Sequence, residues 1–217
     1  MVSAWVALLT VLFVMVGAQS AHAAVVSTVD YVLDAPNHWV TSTAVTPDGR
    51  YVFVTNYTNG SVSRFDTSTH AIQNVSVGGH PYGVAISPDG STAAVACFGS
   101  NAIVYVDVAT MNNTSIGYGG SGPMGIAYSH DGTKVYVVDE TDDKLREISA
   151  TGHNTLNTVQ ITGSGWQASA YVVITSDDSK AYVTNIVGNT VTESDLTTHA
   201  VTRTFTGVSG PRGLALS

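Results

Sequence analysis

Charge is scarce in this chain. Only 11% of its 217 residues are Asp, Glu, Lys or Arg, and the balance is 8 basic against 16 acidic, a formal net charge of −8. A net-acidic surface repels phosphate backbones, and no basic cluster offsets it, so a nucleic-acid partner is not expected. Cysteine is all but absent. Cys97 stands alone, which excludes an intrachain disulfide and leaves stability to the core. It lies in an apolar stretch and reads as a small buried hydrophobe. Strong helix formers are few, and no window of the mature chain sustains an i, i+3, i+4 apolar pattern, which argues against helices. Gly-x-Ser-x-Gly, His-Glu-x-x-His and Cys-x-x-Cys are missing, so no hydrolase elbow or dedicated metal motif is indicated, and no cofactor is expected. Gly119-Gly120-Ser121-Gly122 lacks the Lys-Ser/Thr tail of a phosphate loop.

The first 23 residues carry no Asp, Glu, Lys or Arg. Residues 4–18 are almost wholly apolar, and Ala21-His22-Ala23 follows as an A-x-A cleavage pattern. Residues 1–23 therefore read as a signal peptide, with Ala24 as the mature start. The run is short for a bilayer span, which needs about 20 residues. No stable membrane span is expected after cleavage, and an uncleaved anchor is the alternative. The expected location is secreted, periplasmic or cell surface.

What fills residues 24–217 is a repeat. Pro47-Asp48-Gly49, Pro88-Asp89-Gly90, His130-Asp131-Gly132 and Asp177-Asp178-Ser179 place a turn Asp at intervals of 41, 42 and 46 residues. A short apolar run precedes each turn and another follows it, such as Val84-Ala85-Ile86 before and Tyr51-Val52-Phe53-Val54 after. A second turn comes next: Asn59-Gly60, Ser100-Asn101, Asp142-Asp143 and Gly188-Asn189. These residue types accept the positive φ that tight hairpins need. A third run contains Val62, Ile103, Leu145 and Val191, each 14 residues after its turn Asp. A fourth closes the unit. Four antiparallel strands in forty-odd residues define a propeller blade, apolar on both faces and stable only when stacked. The spacing predicts an all-β, open or incomplete β-propeller. Its blades are expected near 40–82, 83–124, 125–169 and 170–212, with partial strands at 25–33 and 213–217.

Tyr182-Val183-Thr184-Asn185, with Val54-Thr55-Asn56 as a near copy, resembles the signature of the YVTN family of β-propeller repeats. Gly83-Val84-Ala85-Ile86-Ser87-Pro88-Asp89-Gly90 resembles the same family's linking segment. The repeat is also similar to that of seven-bladed lactonases. The resemblance spans roughly residues 25 to 217 and implies a bacterial or archaeal surface or periplasmic protein. It also implies seven blades, so a truncated member is expected, lacking roughly 100 residues at about 42 per blade. An unclosed arc would expose blade edges and invite self-association. No catalytic residue of a lactonase aligns here by motif.

Three departures from the repeat stand out. Asp139 and Glu140 replace uncharged residues in the third unit. Residues 163–167 lengthen the approach to the fourth. Asp178 stands where the other turns have Gly. His70, His153 and His199 all fall 22 residues after a turn Asp, on different blades, so they cannot share a metal ion and read as exposed turn residues. Residues 139–143 form the densest acidic stretch and read as a solvated hairpin. Asn56, Asn59, Asn74, Asn112 and Asn113 each begin an N-x-S/T sequon.

Loops that share one rim of a propeller should gather Trp39, Tyr57, His80, Tyr82, Phe98, Tyr118, Trp166 and Arg212. Aromatic faces beside a few polar groups suit a glycan, peptide or small organic ligand, with inter-blade packing as the alternative use of the same rings. Three functions follow: a non-enzymatic binding scaffold, a lactonase-like hydrolase or lyase, or a structural module in a cell-surface assembly.

Overall fold

The computed structural model describes residues 39–161 and 169–216. The signal segment, the strand expected at 25–33 and the insertion at 163–167 lie outside the described residues. The described chain forms sixteen strands in four antiparallel sheets, each ordered as in the sequence. The first sheet is β1(Val40–Val45), β2(Tyr51–Asn56), β3(Ser61–Asp66) and β4(Ile72–Ser76). The second is β5(Pro81–Ile86), β6(Thr92–Cys97), β7(Ala102–Asp107) and β8(Asn113–Ile116). The third is β9(Pro123–Tyr128), β10(Lys134–Asp139), β11(Lys144–Ser149) and β12(Thr155–Gln160). The fourth is β13(Ser169–Ile174), β14(Lys180–Asn185), β15(Thr190–Asp195) and β16(Ala200–Phe205). The one helical turn among the described residues is a 3-10 segment, Phe98–Ser100. The first strands of the sheets, β1, β5, β9 and β13, pack side by side in that order. This is a partial β-propeller of four blades whose ring is not closed by the described residues.

Each hairpin turns on a left-handed residue at a fixed distance from its turn Asp. One position after that Asp stand Gly49, Gly90, Gly132 and Asp178; twelve after it, Gly60, Asn101, Asp143 and Asn189; twenty-two after it, His70, Met111, His153 and His199. All twelve have φ between +49° and +75°. The third set revises the reading of the histidines. They occupy an αL position that Asn and His tolerate better than most side chains. Of the three histidines only His70 is exposed, its ring stacked on Phe65 at 5.9 Å. His153 is half-buried, its ring 4.3 Å from Tyr105 on the preceding blade. His199 is half-buried as well.

Three apolar layers fill the spaces between the four sheets. Phe53 and Val62 of the first blade meet Ala93, Val95, Cys97 and Val106 of the second. Ile103 and Tyr105 meet Val135, Val137 and Ile148 of the third. Tyr136, Val138 and Leu145 meet Ala181, Val183 and Leu196 of the fourth. The period of two along each strand sends alternate side chains to alternate neighbours, so no blade has a solvent face of its own in the middle of the stack. Cys97 is fully buried in the first layer, and burial pushes its thiol up to about 12. It is a packing residue.

Asp178 explains its own departure from the pattern. Where the preceding blade follows its first strand with a proline, the next blade's turn is glycine: a methyl at Gly90 would lie 3.3 Å from Pro47, and one at Gly132 would lie 3.5 Å from Pro88. The third blade has His130 in place of that proline and therefore exposes a backbone N–H. The Asp178 carboxylate accepts from it at 2.7 Å and from Asp131 N–H at 3.1 Å, and it meets His130 Nδ1 at 3.2 Å. Proline pairs with glycine, and histidine pairs with aspartate. Asp178→Gly is expected to lower stability by about 1–2 kcal/mol in urea unfolding, from two lost charge-assisted bonds less the strain relieved at φ +56°. Adding His130→Pro should recover most of that loss. Equal costs in both backgrounds would show that the pair is not coupled.

Residues 211–216 repeat Pro123–Tyr128 in sequence, and the two segments are entered alike. Gly210 N–H donates to Asn189 Oδ1 at 2.8 Å, as Gly122 N–H does to Asn101 Oδ1 at 2.8 Å. The partial strand expected from 213 is not formed: residues 211–216 carry no strand pairing among the described residues. No helix among the described residues is long and apolar enough to cross a membrane.

Candidate functional site

The rim is built from two positions per blade, joined by one backbone bond. In the first three blades the residue after the second strand donates its N–H to the residue just before the first: Tyr57 to Trp39 at 2.8 Å, Phe98 to His80 at 3.0 Å and Glu140 to Gly122 at 2.9 Å. The side chain of the donor then reaches over the next blade. Tyr57 stacks on His80 at 4.5 Å and 8°, and Phe98 lies where a methyl on Gly122 would be 3.2 Å from its ring. Gly99 also lies against His80, where a methyl would come within 2.7 Å of Nδ1, yet His80 remains exposed. Tyr57, His80 and Phe98 thus each use a ring face to join neighbouring blades. Trp39 is different. It is 72% exposed, tilted against Tyr57 at 6.1 Å.

Tyr118 does not belong to an open rim. It is 3% exposed, and its hydroxyl donates to Asp139 Oδ1 at 2.5 Å. Arg146 Nε donates to the other oxygen of the same carboxylate, and its Nη2 reaches Asp142 Oδ2 at 3.3 Å. The chain crosses directly above at Gly120, where a methyl would lie 2.5 Å from Asp139 Oδ2 and 2.6 Å from Arg146 Nε. The acidic stretch is therefore not a solvated hairpin throughout: Asp139 is fully buried and Asp143 is buried. Burial pushes the Asp139 carboxyl up, and Tyr118 and Arg146 pull it back down. Burial and the neighbouring carboxylate push the Tyr118 phenol far up.

The point where the blades converge is Tyr82, on β5. Two first-blade hydroxyls hold its carbonyl, Thr41 Oγ1 at 2.8 Å and Thr55 Oγ1 at 2.9 Å. Its ring sits edge-on to Tyr57 of the first blade at 6.4 Å and 84°, and tilted to Tyr171 of the fourth at 6.2 Å and 59°. Burial and a hydrogen bond with Tyr171 push the Tyr82 phenol up to about 12, while Arg212 pulls it down and Glu140 of the third blade pushes it up. Arg212 is exposed. Trp166 lies outside the described residues.

Tyr171 is a member of this cluster that the sequence reading does not supply, and Glu140 is one that it singles out only as part of the acidic stretch. Aligning the turns would find the first. Ser42 and Tyr171 donate their N–H groups to equivalent threonines, Thr55 at 2.9 Å and Thr184 at 3.1 Å, which puts Tyr171 where the second and third blades have Gly83 and Gly125. Among the described residues no group of three or more His, Cys, Asp or Glu side chains is placed to hold a metal ion.

Comparison with known proteins agrees with this architecture. Among solved structures, hydrazine synthase of Kuenenia stuttgartiensis is similar with a TM-score of 0.67 at 20% identity, over 81% of this chain and 52% of that one. U3-55K is similar with a TM-score of 0.71 at 15% identity, over 83% and 55%. Virginiamycin B lyase from Staphylococcus aureus, solved with quinupristin in a catalytically inactive form, gives 0.68 at 15% identity, over 81% and 58%. At these identities the likeness concerns the fold. The chain spans about half the length of the solved structures it matches. No curated protein matches it in sequence. The family profile described as Lactonase, 7-bladed beta-propeller matches residues 21–217, nearly the whole sequence, and the chain belongs to that family.

Proposed function

We propose that this propeller is an exported binding scaffold, of the YVTN repeat type, that takes a small organic ligand across the mouth of its axis. The observation that carries the reading is the convergence on Tyr82. On the half-buried phenol of the second blade's Tyr82 lie the rings of Tyr57 from the first blade and Tyr171 from the fourth, and Glu140 of the third blade and Arg212 after the fourth act on it electrostatically. Trp39 adds an open aromatic face on the same rim. Rings for stacking beside a few polar groups suit a flat ring that bears hydroxyl or carbonyl groups. The net charge of −8 disfavours a polyanion.

A second reading, a lactonase-like hydrolase or lyase, is favoured by the family and by the opposite charges of Glu140 and Arg212 beside Tyr82. Fold likeness alone does not choose between the two. Calorimetric titration with maltose, benzoate and glucono-δ-lactone separates them. Binding of any of the three should weaken by about ten- to a hundredfold in Tyr82→Ala, the loss of a central aromatic anchor. Lactone opening above the buffer rate, abolished by Glu140→Gln, would move the assignment to the hydrolase. Probes that bind equally well to Tyr82→Ala would remove the site from the axis.

A further inference from the structure

Tyr171 occupies a position that the second and third blades give to glycine. The reason for glycine is visible there. A methyl at Gly83 would collide with the Met124 carbonyl oxygen on the next inner strand, and one at Gly125 would lie 2.5 Å from the Ala170 carbonyl oxygen and 3.0 Å from Tyr171 Cα. Inner strands β5, β9 and β13 pack backbone to backbone at this level, with no room for a side chain between them. Beyond β13 the described residues form no further inner strand, so a tyrosine is tolerated there.

The ring meets Tyr82, which is on β5. Strand β9 lies between β5 and β13 in the row of inner strands. A contact from β5 to β13 therefore passes in front of β9, on the inner side of the arc where a propeller keeps its axial channel. On β9 the residue in register with Tyr82 is Met124, since Pro81 pairs with Cys97 as Pro123 pairs with Asp139. Met124 is 7% exposed.

We infer that Tyr171 sets the depth of the rim site: with Tyr82 it closes off the inner face of β9 at Met124, so that a ligand lies across the two rings and does not reach below them. The limit on ligand shape rests on the binding role proposed above. The closure itself does not, and it can be read without any ligand.

Met124→Cys supplies the reporter, labelled with methyl methanethiosulfonate. Cys97, fully buried, serves as the internal control for an intact fold. The introduced thiol should label slowly beside Tyr171 and at least about tenfold faster when Tyr171→Gly is added, because thiol modification follows access. Tyr171→Phe, which keeps the ring, should stay slow. If the glycine variant exposes Cys97, Tyr171→Ala carries the same comparison. Fast labelling with Tyr171 in place, or equal rates with and without the ring, would overturn the closure. A failed ligand titration with intact closure would instead count against the binding role alone.

Discussion

Asp139→Ala is expected to lower stability by about 3–5 kcal/mol, the usual cost of leaving a buried charge without its partner. The carboxylate ends strand β10 fully buried, between the Tyr118 hydroxyl of the second blade's outgoing loop and the Arg146 guanidinium of β11. Arg146 has only 11% of its side chain exposed, and a guanidinium cannot shed its proton to escape. Asp142, at 3.3 Å and 35% exposed, is a poor substitute. Removing both charges should cost less than removing one. Asp139→Ala with Arg146→Met is expected to recover a large part of the loss in urea unfolding, because an apolar pair avoids the desolvation of two ions. Strict additivity of the two single changes would show that they are not coupled. The rim should feel the change as well, since the loop at 119–122 is draped over this pair and Gly122 supports Phe98.

The same residues show how far the sequence can be read. The blade is legible because its physics is local. An Asp at the turn and αL residues one, twelve and twenty-two places later mark three hairpins, and alternating apolar runs mark the strands between them. The cluster around Asp139 is visible only as charge out of place in the third unit. That Tyr118 turns inward to meet it depends on how the second blade is rotated against the third, which no spacing within one blade encodes. Tyr57 on His80 and Phe98 over Gly122 are hidden for the same reason: each is a contact between blades. The place of Tyr82 on an inner strand is readable from its position before a glycine. Tyr171 escapes because the fourth unit is matched there through Ala170, and spacing alone does not say where the ring that replaces a glycine can go. Asp178 is legible as an anomaly, but its partner, the free N–H of His130, requires the neighbouring turn.

Acid should unfold the protein between about pH 4 and pH 2, and the repeat sets that window. Asp48, Asp89, Asp131 and Asp177 each accept from a hydroxyl two residues before, Thr46, Ser87, Ser129 and Thr175, at 2.5 to 2.6 Å, and from a backbone N–H two residues after. These bonds favour the ionised form and hold all four carboxyls below the usual 3.8, Asp177 down to about 2. Asp66, Asp107 and Asp195 are lowered by the third turn of their blades in the same way, and Glu193 falls to about 2 through Tyr182, Thr202 and Lys180. A carboxyl with a folded value below its unfolded one stabilises the fold above the unfolded value, and that contribution disappears as pH falls through the folded value. Asp139 works with the opposite sign, since burial raises it. Eight groups against one make the acid limb steep. Replacing the four hydroxyls, with Thr46→Val, Ser87→Ala, Ser129→Ala and Thr175→Val, should lower stability at pH 7 and flatten the fall from pH 7 to about pH 2, because the four carboxyls then titrate nearer their unfolded values. Urea midpoints measured across that range decide the matter. A limb as steep in the fourfold variant as in the parent would mean that acid acts elsewhere, and that these turns hold the blades by geometry and not by charge.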